Sequence, residues 1–182
     1  MKTTIHRVFA LVLLTIGSPA GAATLVAMDL PQLAAKSDTV VRGEVLGVRT
    51  FWDADHRTIL SETRIRVDER LWGTVLGGEI AVRSVGGKVG DHEMMADGFP
   101  KFVPGEEVLL FLDRREDETV HVTGLQQGHY EVVERDGVEV LLPTLDFGIT
   151  LVDGKGNQVP SPEPIALADL RDQIRALPSS PR

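Results

Sequence analysis

A chain of 182 residues with 27 acidic and 19 basic side chains carries a formal charge of -8. That balance argues against nucleic acid as a partner, because phosphate binding needs a basic field or stripe. Cysteine is absent, which removes a disulfide framework, a thiolate zinc site, a cysteine nucleophile and a lipid-modified N-terminal Cys.

Residues 1–22 read as a cleaved secretory signal peptide. Lys2, His6 and Arg7 precede the apolar run Val8 to Ile16, Gly17-Ser18-Pro19 breaks it, and Ala20 and Ala22 form an A-x-A arrangement that predicts cleavage between Ala22 and Ala23. The run is well short of the ~20 residues a membrane-spanning helix needs, so the expectation is a secreted or periplasmic protein without a membrane span after processing. Loss of Lys2 and Arg7 leaves 17 basic residues against 27 acidic ones, a charge of about -10. A remaining chain of about 160 residues buries roughly two-thirds of its unfolded surface. It can therefore be stable through its core alone.

Residues 23–145 predict a β-rich domain. Asp29 caps a short helix with Pro31 in its first turn and Leu30, Leu33 and Ala34 on one face. Thr39 to Val48 is a strand whose Gly43 and Gly47 imply strong curvature, and Ile59 to Leu71 is a longer one with Ile65 and Val67 on one face and Arg64, Arg66 and Asp68 on the other. Polar residues 51–58 separate the two. Glu79 to Val85 is a third strand, followed by a long loop from Gly86 to Pro104. Val108 to Leu112 lacks alternation and predicts a core strand buried on both faces. Thr119 to Leu125 and His129 to Glu134 follow as strands, with Gln126-Gln127-Gly128 between them, and Asp136-Gly137 turns the chain into Val138 to Leu142. Residues 146–182 hold a turn cluster at 153–157, a connector stiffened by Pro160, Pro162 and Pro164, and an amphipathic helix from Ile165 to Leu177 expected to dock on the barrel.

Two loops contain metal-ligand residue types, Asp53, Asp55 and His56 in one and Asp91, His92 and Glu93 in the other. Neither completes a known ligand set. His92-Glu93 lacks the second His of an H-E-x-x-H turn, and Asp53-Ala54-Asp55 meets Arg57 where a calcium loop needs an oxygen donor. Neither a bound metal nor a cofactor is therefore expected. The serines occupy no G-x-S-x-G setting. His121 and His129 fall in strands expected to be adjacent, where a facing pair is a candidate for catalysis. The surface composition points instead to binding: Trp52 at a strand end, and Met94, Met95, Phe99 and Phe102 in the long loop, place large apolar groups where partners meet protein surfaces.

The segments 37–45 (SDTVVRGEV), 67–73 (VDERLWG), Val82 with Gly86-Gly87, 104–112 (PGEEVLLFL) and Gly124 to Tyr130 together resemble the inhibitor barrel of tissue inhibitors of metalloproteinases and the related netrin-like modules. The resemblance covers about residues 37 to 130. It implies an OB-like small β-barrel with a role in binding. Those inhibitors place the amine and carbonyl of a mature N-terminal Cys on a protease zinc, whereas the expected mature start here is Ala23-Thr24-Leu25 with nothing in the sequence to pin it, so protease inhibition does not carry over. The expectation is a mainly β, exported, non-enzymatic domain that binds a protein or another extracytoplasmic ligand through its long loops. The alternatives are an extracytoplasmic hydrolase using a carboxylate or a histidine among His121, His129, Asp91 and His92, and a structural accessory module of the cell envelope.

Overall fold

The computed structural model describes residues 23–74, 77–146 and 148–177. The expected leader, with Ala22 of the cleavage site, lies outside these residues. The chain runs β1 (Ala23–Val26), α1 (Leu30–Lys36), β2 (Thr39–Trp52), β3 (Ile59–Gly73), β4 (Glu79–Val85), β5 (Gly87–Val89) and β6 (His92–Met94). It continues through β7 (Glu107–Arg114), β8 (Val120–Val122), a 3-10 turn (Leu125–Gly128), β9 (His129–Arg135), β10 (Val138–Pro143), β11 (Ile149–Val152), β12 (Ile165–Ala166) and α2 (Leu167–Arg175).

Strands β2, β3, β4, β8 and β7 close a five-stranded barrel, because β7 pairs with both β2 and β8. All contacts in the ring are antiparallel except β4 with β8, where Val82 faces Val120 in parallel. In order of sequence the ring reads 1-2-3-5-4-1, an OB-type connectivity. Sharp curvature comes from β2, whose register against β3 shifts at Val40/Val41, Arg42/Gly43 and Val45/Gly47. Gly43 is required there: a Cβ on it would stand 2.0 Å from the carbonyl oxygen of Arg66, closer than any side chain permits.

Strand β7 divides the hydrophobic core in two. Residues Val108 to Leu112 are all 0% exposed, as the unbroken apolar run predicts. Val108, Leu110 and Leu112 point into the barrel with Val41, Val45, Ile65, Ile80 and Val82. Leu109 and Phe111 point outward, where Leu33 and Ala34 of α1, Tyr130, Leu141 and the Leu167, Leu170 and Ile174 stripe of α2 cover them. The C-terminal helix thus docks on the barrel's outer wall, with Leu177 packed on the same cluster. Helix α1 is fixed by a reciprocal cap, in which Asp29 accepts from the Gln32 amide at 2.9 Å and Gln32 accepts from the Asp29 amide at 3.0 Å.

Several local expectations change. The loop after Gly86 is partly ordered into the β5–β6 hairpin, since Gly90 (φ 59°) and Asp91 form a two-residue turn between Val89 and His92. The segment 119–125 holds only a three-residue strand, because Gly124 (φ 68°) turns the chain into the 3-10 element. Strands β8 and β9 are not paired. Both run along one edge of β7, β8 beside Leu112 to Arg114 and β9 beside Val108 to Leu110, so the expected adjacency of His121 and His129 is overturned. The amino end is also held where the sequence offers no anchor: β1 pairs in parallel with β11 from Ala23↔Ile149 to Val26↔Val152, and Gln127 accepts from the Met28 amide at 2.8 Å and donates to the Val26 carbonyl at 3.1 Å.

Candidate functional site

The barrel interior is graded along its length. Inward positions of β3 run Ile59, Ser61, Thr63 and Ile65, while those of β4 run Ile80, Val82 and Ser84. One end is therefore sealed by aliphatic side chains. Toward the other end a band of hydroxyls interrupts the stripe, with Thr50 of β2 opposite Ser61, Val48 opposite Thr63, and Ile59 beyond them. Over this polar end, the β5–β6 hairpin and residues 95–102 enclose a cleft of about 410 Å³.

Four of the five residues singled out for binding line this cleft: Met94, Met95, Phe99 and Phe102. Met95 is the most exposed, at 78%. Phe102 reaches deeper, packing on the barrel core and lying 4.7 Å from the His129 ring. Trp52 does not line the cleft; it stands at the tip of the β2–β3 ribbon against His56 and His92. Glu93 and Lys101 put one charge of each sign on the rim.

The floor contains the hydroxyls of Thr50, Ser61, Thr63 and Ser84. Thr50 donates to the Lys88 carbonyl and Ser61 to the Gly86 carbonyl, which ties the hairpin to the ribbon. Thr63 is fully buried and its Oγ1 has no hydrogen-bond partner among the described residues. A buried hydroxyl without a partner costs stability of order 1–3 kcal/mol, so this atom is a standing acceptor and donor at the bottom of the cleft.

The roof is anchored through Gln126, which is almost fully buried. Its side-chain amide donates to the Phe99 carbonyl and the Asp146 carboxylate, both at 3.0 Å, and its carbonyl accepts from the Asp146 amide at 3.0 Å. Lys101 joins Asp146 at 2.9 Å, and the hydrogen bonds from Lys101 and Gln126 hold the Asp146 carboxyl below its ordinary range. Beneath Phe102, His129 is buried, with Nδ1 within 3.0 Å of the Thr144 hydroxyl and Nε2 without a partner among the described residues. Burial alone lowers its pKa to about 4, so the imidazole is neutral near pH 7.

The residues considered for catalysis are not brought together. His121 pairs with Asp113 on the outer face of β7, with Nε2 at 2.8 Å from the Thr119 hydroxyl, while His129 pairs with Leu110 on the inner face. Asp53 is consumed by its own turn, accepting from the Arg57 and Thr58 amides at 2.8 and 3.1 Å, which lowers its pKa. Among the described residues no group of three or more His, Asp or Glu side chains is placed to hold a metal ion. A second hollow, around Arg42, is lined by Glu106, Glu107, Glu131, Glu134 and Glu139; Arg42 meets Glu107 at 2.6 Å and Glu139 at 2.5 Å.

Sequence reasoning missed the floor. Its signal is the pair Ser61 and Thr63 in phase with Ile59 and Ile65, a polar break in an apolar stripe. Fold and cleft define a mainly β domain, a closed five-stranded barrel of OB-like connectivity with one polar, roofed end and no described helix long and apolar enough to cross a membrane. Comparison with known proteins returns no matching family model, no matching curated protein and no matching solved structure.

Proposed function

We propose that this protein is an exported, non-enzymatic binding domain whose barrel mouth receives an apolar side chain projecting from a basic segment of an extracytoplasmic partner protein. The observation that carries this reading is the cleft itself. Its rim of Met94, Met95, Phe99 and Phe102 presents flexible and aromatic apolar surface, and its floor presents an unpartnered Thr63 hydroxyl. Polarizable thioethers adapt to varied apolar shapes, and a concave site with apolar walls and a few converging polar groups is the usual form of a recognition pocket. The charge of about -10 expected after loss of the leader, 17 basic against 27 acidic residues, favours a basic segment by long-range attraction. The leader sequence supports export, and the resemblance to inhibitor barrels and netrin-like modules supports binding as the role.

The test places a photo-crosslinking residue at position 95 and compares the parent with a Met94→Ser, Met95→Ser, Phe99→Ser variant. The parent is expected to crosslink through position 95 to one extracytoplasmic protein. The triple variant, retained on beads under the same conditions, is expected to lose that protein while melting within a few degrees of the parent. Equal capture by both proteins, with the variant folded, removes the cleft as the binding surface.

A further inference from the structure

The tip of the β2–β3 ribbon and the β5–β6 hairpin meet at Trp52. The His56 ring stacks on the indole with 6.3 Å between centroids and 28° between planes, and the His92 ring meets it edge-on at 5.5 Å and 68°. The hairpin lies directly on the ribbon, since a Cβ on Gly87 would stand 2.5 Å from Thr50 Cγ2 and 2.8 Å from Ser61 Oγ. Pairing of Gly87 with Met94 and of Val89 with His92 puts Met94 and His92 on that same face of the hairpin. Same-face neighbours on a strand are separated by roughly 7 Å, a gap that an imidazole and a thioether close when both reach toward one ion between them.

The donor set is two imidazoles and a thioether beside a partly buried indole. Among the described residues no hydrogen bond occupies either imidazole. The neighbouring Asp53 carboxylate is engaged by its own turn, and the absence of a converging trio of His, Asp or Glu side chains among the described residues leaves zinc or calcium without a ligand set. Soft monovalent ions have other needs. Thioether sulfur selects Cu(I) and its analogues over harder cations, two or three donors satisfy them, and an indole ring attracts a cation held beside it.

We propose that His92, Met94, His56 and Trp52 form a binding site for a soft monovalent metal ion of the Cu(I) class. His92 nitrogen and Met94 sulfur are the chelating pair, His56 supplies the third donor, and Trp52 lies against the ion and shields it from water. Binding involves no change of oxidation state. The site adjoins the mouth cleft through Met94 but needs no protein partner, so it stands or falls independently of the proposed binding role.

Ag(I), which is redox-inert, is the probe, titrated into the whole exported protein and followed by indole fluorescence and intact-complex mass spectrometry. One Ag(I) per chain is expected, with quenching that saturates at one equivalent. Met94→Leu, which keeps the bulk, and His92→Gln are each expected to weaken binding at least tenfold. Trp52→Phe is expected to keep the one-to-one complex while abolishing the quench, with Trp72 as the remaining emitter. Should His92→Gln fail to fold, Met94→Leu and Trp52→Phe still decide the outcome. The site is overturned by the absence of a one-to-one complex, by affinity unchanged in Met94→Leu, or by Zn(II) binding at these residues as tightly as Ag(I).

Discussion

The sealed end of the barrel and its open mouth are built from the same strands, a few residues apart. On β3, Ile65 closes the interior with Val41, Ile80 and Leu110, while Thr63 and Ser61, two and four positions earlier on the same face, leave hydroxyls under a cleft of about 410 Å³. Close packing of aliphatic groups stabilises the first region. The second forgoes that packing and keeps a buried hydroxyl unpartnered, which lowers stability but leaves room and chemistry for a ligand. Close packing and the polar cleft thus occupy different levels of one tube, and each can be disturbed separately.

The largest expected effect is at the sealed end. Leu110, fully buried and central in the interior cluster, is expected on change to Ala to lower unfolding free energy by roughly 3–5 kcal/mol, measured by urea denaturation. A loss under about 1 kcal/mol would mean that the interior collapses around the gap and is not the rigid half.

An intermediate effect belongs to the boundary between the two regions, at His129. Its imidazole titrates at about 4 in the fold and near 6.5 when unfolded, so between these values the unfolded chain binds the extra proton. Stability is full above about pH 6.5, falls as pH drops, and levels off near pH 4 after a loss of about 3 kcal/mol. Urea unfolding across this range is expected to show that slope in the parent and a shallower one in His129→Gln. Equal slopes would show that the buried imidazole contributes nothing to acid sensitivity.

The smallest effect reverses sign. Thr63→Val replaces an unpartnered buried hydroxyl with a methyl of the same shape, so the mouth is expected to gain about 1 kcal/mol in thermal or urea unfolding. Because the cleft floor loses its polar group, partner capture is expected to weaken at the same time. A destabilised Thr63→Val would mean that the hydroxyl is satisfied, and that the two ends differ less than their residues imply.

Much of the fold is legible in the chain. The helix cap at Asp29, the curvature at Gly43, the two-faced burial of 108–112, the Asp136-Gly137 turn and the apolar stripe of the terminal helix all follow from local patterns, and each is present. Four of the five binding candidates converge because they sit in one segment that must fold over the mouth. Trp52 does not join them, since the length of β2, which runs to Trp52, carries it past the rim.

What sequence alone determined was the long strands, the Asp136-Gly137 turn and the two helices, because those depend on neighbours within a few positions: alternation, caps, and glycine where backbones crowd. The short strands β1, β5, β6, β11 and β12, which exist only through their partners, were not legible. Tertiary structure decided the rest. Only register across β2, β3 and β4 sets Ser61 between Thr50 and Ser84, with Thr63 next along the same face, and only the path of the chain lets β11 pair with β1. Likewise Gln126 and Gln127, unremarkable between two strands, become buried clamps on the roof and on the amino-terminal strand. Such contacts join residues about a hundred or tens of positions apart, and no local pattern encodes them, since the partners of a polar side chain are fixed by where folding delivers it.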